Sequence, residues 1–306
     1  MRSERTFITI GFVLISLIWG STWLAIKIGL DSVPPLTGIV LRFGLALPIL
    51  YIIMRWRGLR VPRDRDTRNL LFVVGFLSFG LPFGIIYWSA QYVSSGLMSI
   101  LFAVYPFVIA IFAHLMLPSE RLTVYKILGI FLGFAGIVFI FADGIHWEDR
   151  LTLLGMLGVL ASTVLQGASL ILIKKHGYDL SPITLNFVSM FVGTLTIAVL
   201  ALVFERGAPV VFDAKGIGSV VYLGTFGTVV TFVTYFWLLK RVEVVYLSLV
   251  SFVTPIVAVF LGAVVLDESL APHTFLGAGL VLMGLMVANG KGLAAAILKN
   301  TQSDAR

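Results

Sequence analysis

Ten continuous apolar runs of about twenty residues divide this chain, and no other feature restricts its folding so severely. A helix rising 1.5 Å per residue needs roughly 20 apolar residues to cross a bilayer core. The runs lie near residues 7–29, 36–55, 70–90, 95–116, 124–142, 152–174, 182–204, 216–238, 245–266 and 273–290. They are continuous, whereas barrel strands alternate polar and apolar residues over about ten positions. Charged residues make up 12% of the 306 residues and hydrophobic ones 59%, while soluble domains carry roughly a quarter charged residues. The first run follows Arg2 and Arg5 as a signal peptide does. It lacks a small-x-small cleavage site and ends in Trp19, Gly20, Ser21, Thr22, Trp23 and Lys27, so it reads as a retained helix. The fold class expected is all-α and integral to a membrane.

Basic residues orient the spans. The chain has 22 Lys and Arg against 15 Asp and Glu, a net charge of +7. With a cytoplasmic N-terminus, the inner segments hold Arg2 and Arg5, the six arginines from Arg55 to Arg68, Arg121 and Lys126, Lys174 and Lys175, Lys240 and Arg241, and Lys291, Lys299 and Arg306. The outer segments hold Arg150, Arg206 and Lys215, and Lys27 and Arg42 fall within spans. Positive residues are retained on the cytoplasmic side. Both termini are therefore expected in the cytoplasm, with the protein multi-pass in the inner cell membrane. The Arg55 to Arg68 cluster then reads as an orientation signal, not a nucleic-acid surface. The tail from Lys291 is expected to be mobile.

The two halves repeat at an offset of 147 to 149 residues. Gly20 and Lys27 match Gly167 and Lys174; Pro35 and Thr37 match Pro182 and Thr184; Tyr87 and Trp88 match Phe236 and Trp237. Ser99 and Pro106 match Ser248 and Pro255, Glu120 matches Glu268, and Gly129 and Gly136 match Gly277 and Gly284. Residues 1–146 and 147–306 thus form two five-helix repeats. Five is odd, so the second repeat enters the bilayer from the opposite face. Inverted repeats around a midplane site are a design of secondary transporters, which rock one bundle against the other.

Polar and aromatic residues inside spans mark candidate sites. Ser99 and Phe102 run toward Pro106 in span 4, and Ser248 and Ser251 run toward Pro255 in span 9. Their hydroxyls either face a proline-kinked site or bond their own i−4 carbonyls. Trp19 and Trp23 stand one turn apart, and Tyr87, Tyr105 and Tyr235 add rings with polar tips. Such rings serve either a cavity wall or the interfacial belt. Ser162, Gln166 and Asn186 complete the polar set. Arg42 lies about six residues inside span 2, roughly 9 Å along the axis. It contacts a substrate carboxylate, snorkels, or caps carbonyls of helix 1, and Asp31 is the nearest acid in sequence. Glu120 and Glu268 read as caps of the next helix or as partners of Arg121 and Lys126. Gly80, Pro82 and Gly84 mark a bend or gate in span 3.

Five-plus-five inverted helices, Trp19-Gly20-Ser21, Arg42-Phe43, and Pro106 followed by Glu120 resemble the drug/metabolite transporter superfamily. Within it the chain is most similar to ten-helix EamA-type exporters, and among these to the YddG-type exporters of aromatic amino acids. The resemblance implies export, through a central cavity lined by helices 1–4 and 6–9 with helices 5 and 10 behind.

Other classes fit poorly. Gly290-Lys291 lacks the glycine and the Ser/Thr of a P-loop, and His114, His146, His176 and His273 are too scattered for a zinc site. No cysteine is present, and no cofactor or metal is expected. Aromatic walls with hydroxyls and amides suit small amphipathic amino acids, and lipophilic cations are compatible with the same rings. Spans without clustered Lys and Arg disfavour sugar phosphates. Span acids are absent, so uniport, exchange and proton coupling all stay open. A monomer in the bilayer suffices for such transport.

Overall fold

A computed structural model describes residues 2–117, 122–143, 150–176, 180–239, 241–242 and 250–304. These are all helical or in connections, with no strand among them. The helices follow the apolar runs: α1 (Arg2–Gly29), α2 (Pro35–Trp56), α3 (Arg65–Ser89), α4 (Ser95–Met116), α5 (Val124–Asp143), α6 (Arg150–His176) and α7 (Pro182–Phe204). Then come α8 (Ala214–Val221, Tyr222–Val230 and Thr231–Leu239 in succession), α9 (Val250–Leu266) and α10 (Pro272–Asp304). Among the described residues nine helices are long and apolar enough to cross a bilayer, and α9 is a shorter apolar helix of 17 residues. The start of its expected run, 245–249, lies outside the described residues.

Local chemistry sets the helix ends. Pro35 and Pro182 open α2 and α7, where a fixed φ and a missing N–H do no harm. Asp64 accepts from the Thr67 N–H at 2.9 Å to start α3, and Asp213 accepts from the Gly216 N–H at 2.7 Å to start α8. Gly58 (φ 67°) and Gly207 (φ 82°) turn the chain after α2 and α7 in a region that side chains resist. Helix α10 continues past the end of its apolar run at 290 to Asp304. Gly292-Leu-Ala-Ala-Ala-Ile-Leu-Lys is rich in strong helix formers, so nothing stops the ladder at 290.

Three helices are interrupted. In α3 the residues Gly75–Gly80 are π-helical, directly before Pro82, where the sequence places a bend. The α4 ladder breaks at Ala103 and Val104 and restarts at Tyr105, with Pro106 in the new first turn. Tyr222–Val230 of α8 is also π-helical, without a proline. In α9 the helix runs unbroken through Pro255, because a bilayer helix tolerates the loss of one bond when neighbours re-satisfy the backbone.

Packing obeys the repeat. A Cβ on Gly75 would meet Val192 and the Ser189 carbonyl, and one on Gly224 would meet Leu45 and the Arg42 carbonyl. Adding the offset to the glycine and subtracting it from its neighbours converts the first contact into the second. Gly20 lies against Val257, and Gly167 against Val108, by the same operation. At the α5–α10 crossing, Gly129 abuts the Gly284 carbonyl and Gly136 the Gly277 carbonyl. Between helices in lipid the hydrophobic drive is absent, so close backbone approach at small residues supplies the adhesion. Most pairings join the halves: α1 with α9, α2 with α7 and α8, α3 and α4 with α6, and α5 with α10.

One end of the bundle is tied by polar contacts. The Glu205 carboxylate accepts from the Leu36 N–H (2.7 Å), the Thr37 N–H (2.8 Å) and the Thr37 hydroxyl (2.7 Å) at the start of α2. Glu268 accepts from the Ser95 N–H (2.9 Å), the Ser95 hydroxyl (2.8 Å) and the Gly96 N–H (3.3 Å) at the start of α4. Each acid satisfies donors that a helix start leaves orphaned, and each lies at the positive end of the helix dipole. Both acids belong to the second half and both helices to the first. Glu268 therefore does not pair as the sequence suggests, and Glu120 lies outside the described residues. Lys27 Nζ donates to the Ala90 and Val93 carbonyls at 2.8 and 2.9 Å, where α3 ends. Asp31 pairs with Lys215 at 2.8 Å.

Candidate functional site: an aromatic layer and a buried guanidinium

Aromatic rings from five helices gather in two series within the bundle. Trp19 of α1 lies 5.5 Å from Tyr235 and 6.2 Å from Phe232, both on α8. Phe232 is 6.5 Å from Phe79 of α3, which stacks on Phe83 at 6.1 Å. Phe43 of α2 closes the series, 5.9 Å from Phe79 and 4.9 Å from Phe83. A second series joins Trp23 of α1 to Phe102 of α4 at 5.4 Å, and Phe102 stacks on Tyr105 at 5.5 Å.

The helices explain the gathering. One helical turn separates Trp19 from Trp23, so α1 presents an indole to each series. The break in α4 falls between Phe102 and Tyr105, and α8 leaves its π segment just before Phe232 and Tyr235. Irregular turns at functional positions re-aim side chains that a regular helix would separate. Trp19, Phe102, Tyr105 and Tyr235 are half-buried, whereas Phe79 and Trp23 are buried. A separate apolar groove of about 400 Å³, lined by Leu17, Ile256 and Phe260 among others and by none of these rings, opens between α1, α8 and α9. Its polar atoms are the Ser21 and Tyr222 hydroxyls, paired at 2.6 Å.

Arg42 is 5% exposed and makes no ion pair among the described residues. Its Nε donates to the Thr228 hydroxyl at 3.2 Å, one terminal nitrogen to the Tyr87 hydroxyl at 3.4 Å, and the other to the Gly227 carbonyl at 3.4 Å. The guanidinium carbon lies 5.2 Å and 5.6 Å from the Phe83 and Phe43 ring centres. The expected partners are corrected here. Asp31 is taken by Lys215, and the carbonyl that Arg42 meets belongs to the π segment of α8, not to helix 1. A π turn loosens the i→i−4 ladder, which leaves carbonyls open to such a donor.

The other sequence candidates divide. The Gln166 side-chain nitrogen is buried without a partner among the described residues, next to Gly167, which packs on Val108 in the second half of α4. The Ser162 hydroxyl donates to the Val159 carbonyl at 2.6 Å, and the Asn186 amide to the Pro182 carbonyl at 2.9 Å, both within their own helices. Ser99 is 2% exposed in the first half of α4, and Ser251 is half-buried on α9. Ser248 lies outside the described residues. Phe79, Phe83, Phe232 and Thr228 were not anticipated. A spacing of four around Pro82 signals the first two; nothing in the sequence marks Thr228.

The EamA-like transporter family model matches residues 6–142 and again residues 153–290. The chain belongs to this family. Among proteins similar to this EamA-like transporter is an uncharacterized transporter of Bacillus subtilis, YoaV, 27% identical over 92% of this chain and 96% of that protein. A "Probable amino-acid metabolite efflux pump" of Escherichia coli is 26% identical, covering 90% of this chain and 92% of the pump. A solved crystal structure superposes with a TM-score of 0.66 at 20% identity, over 92% of this chain and 96% of that one. At that identity it establishes the shared fold alone. These likenesses make the chain a multi-pass membrane transporter, not an enzyme.

Proposed function

We propose that this EamA-like transporter exports small amphipathic amino acids, aromatic ones included, by alternating access from the cytoplasm. The carrying observation is the two aromatic series, Trp19, Tyr235, Phe232 and Phe79 in one and Trp23, Phe102 and Tyr105 in the other, contributed by α1, α3, α4 and α8. Aromatic faces pack against an apolar side chain, and phenol and indole tips offer hydrogen bonds to its polar end. The buried Gln166 side-chain nitrogen, without a partner among the described residues, adds a donor whose satisfaction by a ligand recovers about 1–3 kcal/mol of desolvation cost. The printed name of the Escherichia coli relative points the same way, and the YddG-type likeness is part of this reading. Termini on the cytoplasmic side of the inner membrane follow from the charge distribution. Rocking engages the interrupted helices α3, α4 and α8, near Pro82 and Pro106.

The test is counterflow in proteoliposomes loaded with phenylalanine, tryptophan, methionine or threonine, with and without a proton gradient. Saturable exchange of several of these is expected. Robust flux of a sugar phosphate with none of the four amino acids would overturn the reading.

A further inference from the structure

We infer that Arg42 is the carboxylate reader of this transporter, so that the carboxylate, more than the amino group, decides whether a substrate binds. The inference rests on the amino-acid reading above and names the part of the substrate that decides binding. Arg42 is a permanent cation, 5% exposed, two turns inside α2. Among the described residues its acceptors are a threonine hydroxyl, a tyrosine hydroxyl and a main-chain carbonyl, all neutral and at 3.2 to 3.4 Å. Charge-assisted bonds to carboxylates run shorter, about 2.7–2.9 Å. Contrast Lys215, which meets the Asp31 carboxylate at 2.8 Å even though both are exposed. The buried cation is held by dipoles; the exposed one has an anion.

Stoichiometry sharpens the point. A guanidinium has five N–H donors, and three are used here. Nε spends its one hydrogen on Thr228, and each terminal nitrogen spends one of two, on Tyr87 and Gly227. One N–H remains on each terminal nitrogen, and a guanidinium holds both oxygens of a carboxylate through two such donors. The three neutral bonds fix the plane of the fork in advance, joining α2, α3 and the π segment of α8 around it. Phe83 and Phe43, within 5.2 and 5.6 Å of the guanidinium, are also the end of the aromatic series. In an aromatic α-amino acid two carbons separate ring from carboxylate, which suits neighbours this close. A purely adhesive role between α2 and α8 needs only a neutral donor at this place. The matched position in the other half is Ser189, whose hydroxyl donates to the Leu71 carbonyl of α3 at 3.3 Å. The second repeat makes its crossing with a hydroxyl, so the charge in the first is surplus to adhesion.

The experiment is counterflow of labelled phenylalanine in proteoliposomes, with unlabelled 3-phenylpropionate (no amino group) and phenylethylamine (no carboxylate) as competitors. In the wild type, phenylpropionate is expected to compete at concentrations at least tenfold below phenylethylamine. R42Q should lower phenylalanine flux about tenfold and abolish the preference between the competitors; R42K, which keeps the charge but not the fork, should fall between. Elution of R42Q as a monodisperse species checks its folding, and the wild-type competition stands whatever that variant does. Phenylalanine flux with equal competition by both analogues would overturn this inference alone. Absence of wild-type phenylalanine flux would overturn the amino-acid reading and this inference with it.

Discussion

Substituting Glu268 by Gln should destabilise the protein by releasing the start of α4. Three donors converge on the carboxylate: the Ser95 N–H on one oxygen, the Ser95 hydroxyl and the Gly96 N–H on the other. In the amide one oxygen becomes an NH₂ group, which cannot accept. The Ser95 hydroxyl can turn and become the acceptor, but the Gly96 N–H is left orphaned. That lost bond is worth about 1 kcal/mol. The charge at a partly buried helix N-terminus adds about 1–2 kcal/mol. The expected loss is thus about 2–3 kcal/mol. Scaled at roughly 2–4 °C per kcal/mol for chains of 150–250 residues, the melting temperature in detergent should fall by about 4–12 °C. Glu205→Gln removes the equivalent cap from α2, where the Leu36 and Thr37 donors converge. The two caps share no residue, so the double variant should be additive to within about 0.5 kcal/mol. Scanning fluorimetry is the assay. A melting temperature for E268Q within 1 °C of wild type would refute the claim that this carboxylate holds α4.

Three further outcomes follow from the geometry. Trp19→Ala removes a ring in contact with Tyr235 and Phe232 and should lower counterflow of several amino acids together, about tenfold; loss confined to one amino acid would contradict a shared aromatic wall. Asp64, the cap of α3, has its carboxyl held below the usual range by hydrogen bonds from Thr67, so its contribution is present above a pH of roughly 3.9 and is lost as pH falls through its lower folded value. The melting difference between wild type and Asp64→Asn should accordingly close on acidification, and a difference that widens toward low pH would reverse the sign of the argument. A single cysteine at position 58 should react with impermeant reagent only after the membrane is opened, and one at position 207 from outside; the reverse pattern would invert the topology.

The helices themselves were legible because a bilayer imposes one length and one chemistry on every span. From α1 to α7 the structural ends fall within a few residues of the apolar runs, and Pro35, Pro182 and Asp64 stand where helix starts require them. The repeat was legible through Gly20, Gly129, Gly136 and their partners, since backbone contact in lipid admits little but glycine at those crossings. A run of apolar letters says nothing, however, about hydrogen-bond register inside a helix. The π segment of α8 could not be read from the sequence, and with it went the partner of Arg42, because a carbonyl becomes available only where the ladder slips. Glu268 and Glu205 were equally opaque: each caps a helix 173 or 169 residues away in the chain, and only the packing of one half on the other brings acid and helix together. Sequence determined which segments cross the membrane, because that depends on each residue's transfer energy alone. Tertiary structure decided which polar groups meet within it, because that depends on where two inverted halves put the same few donors and acceptors.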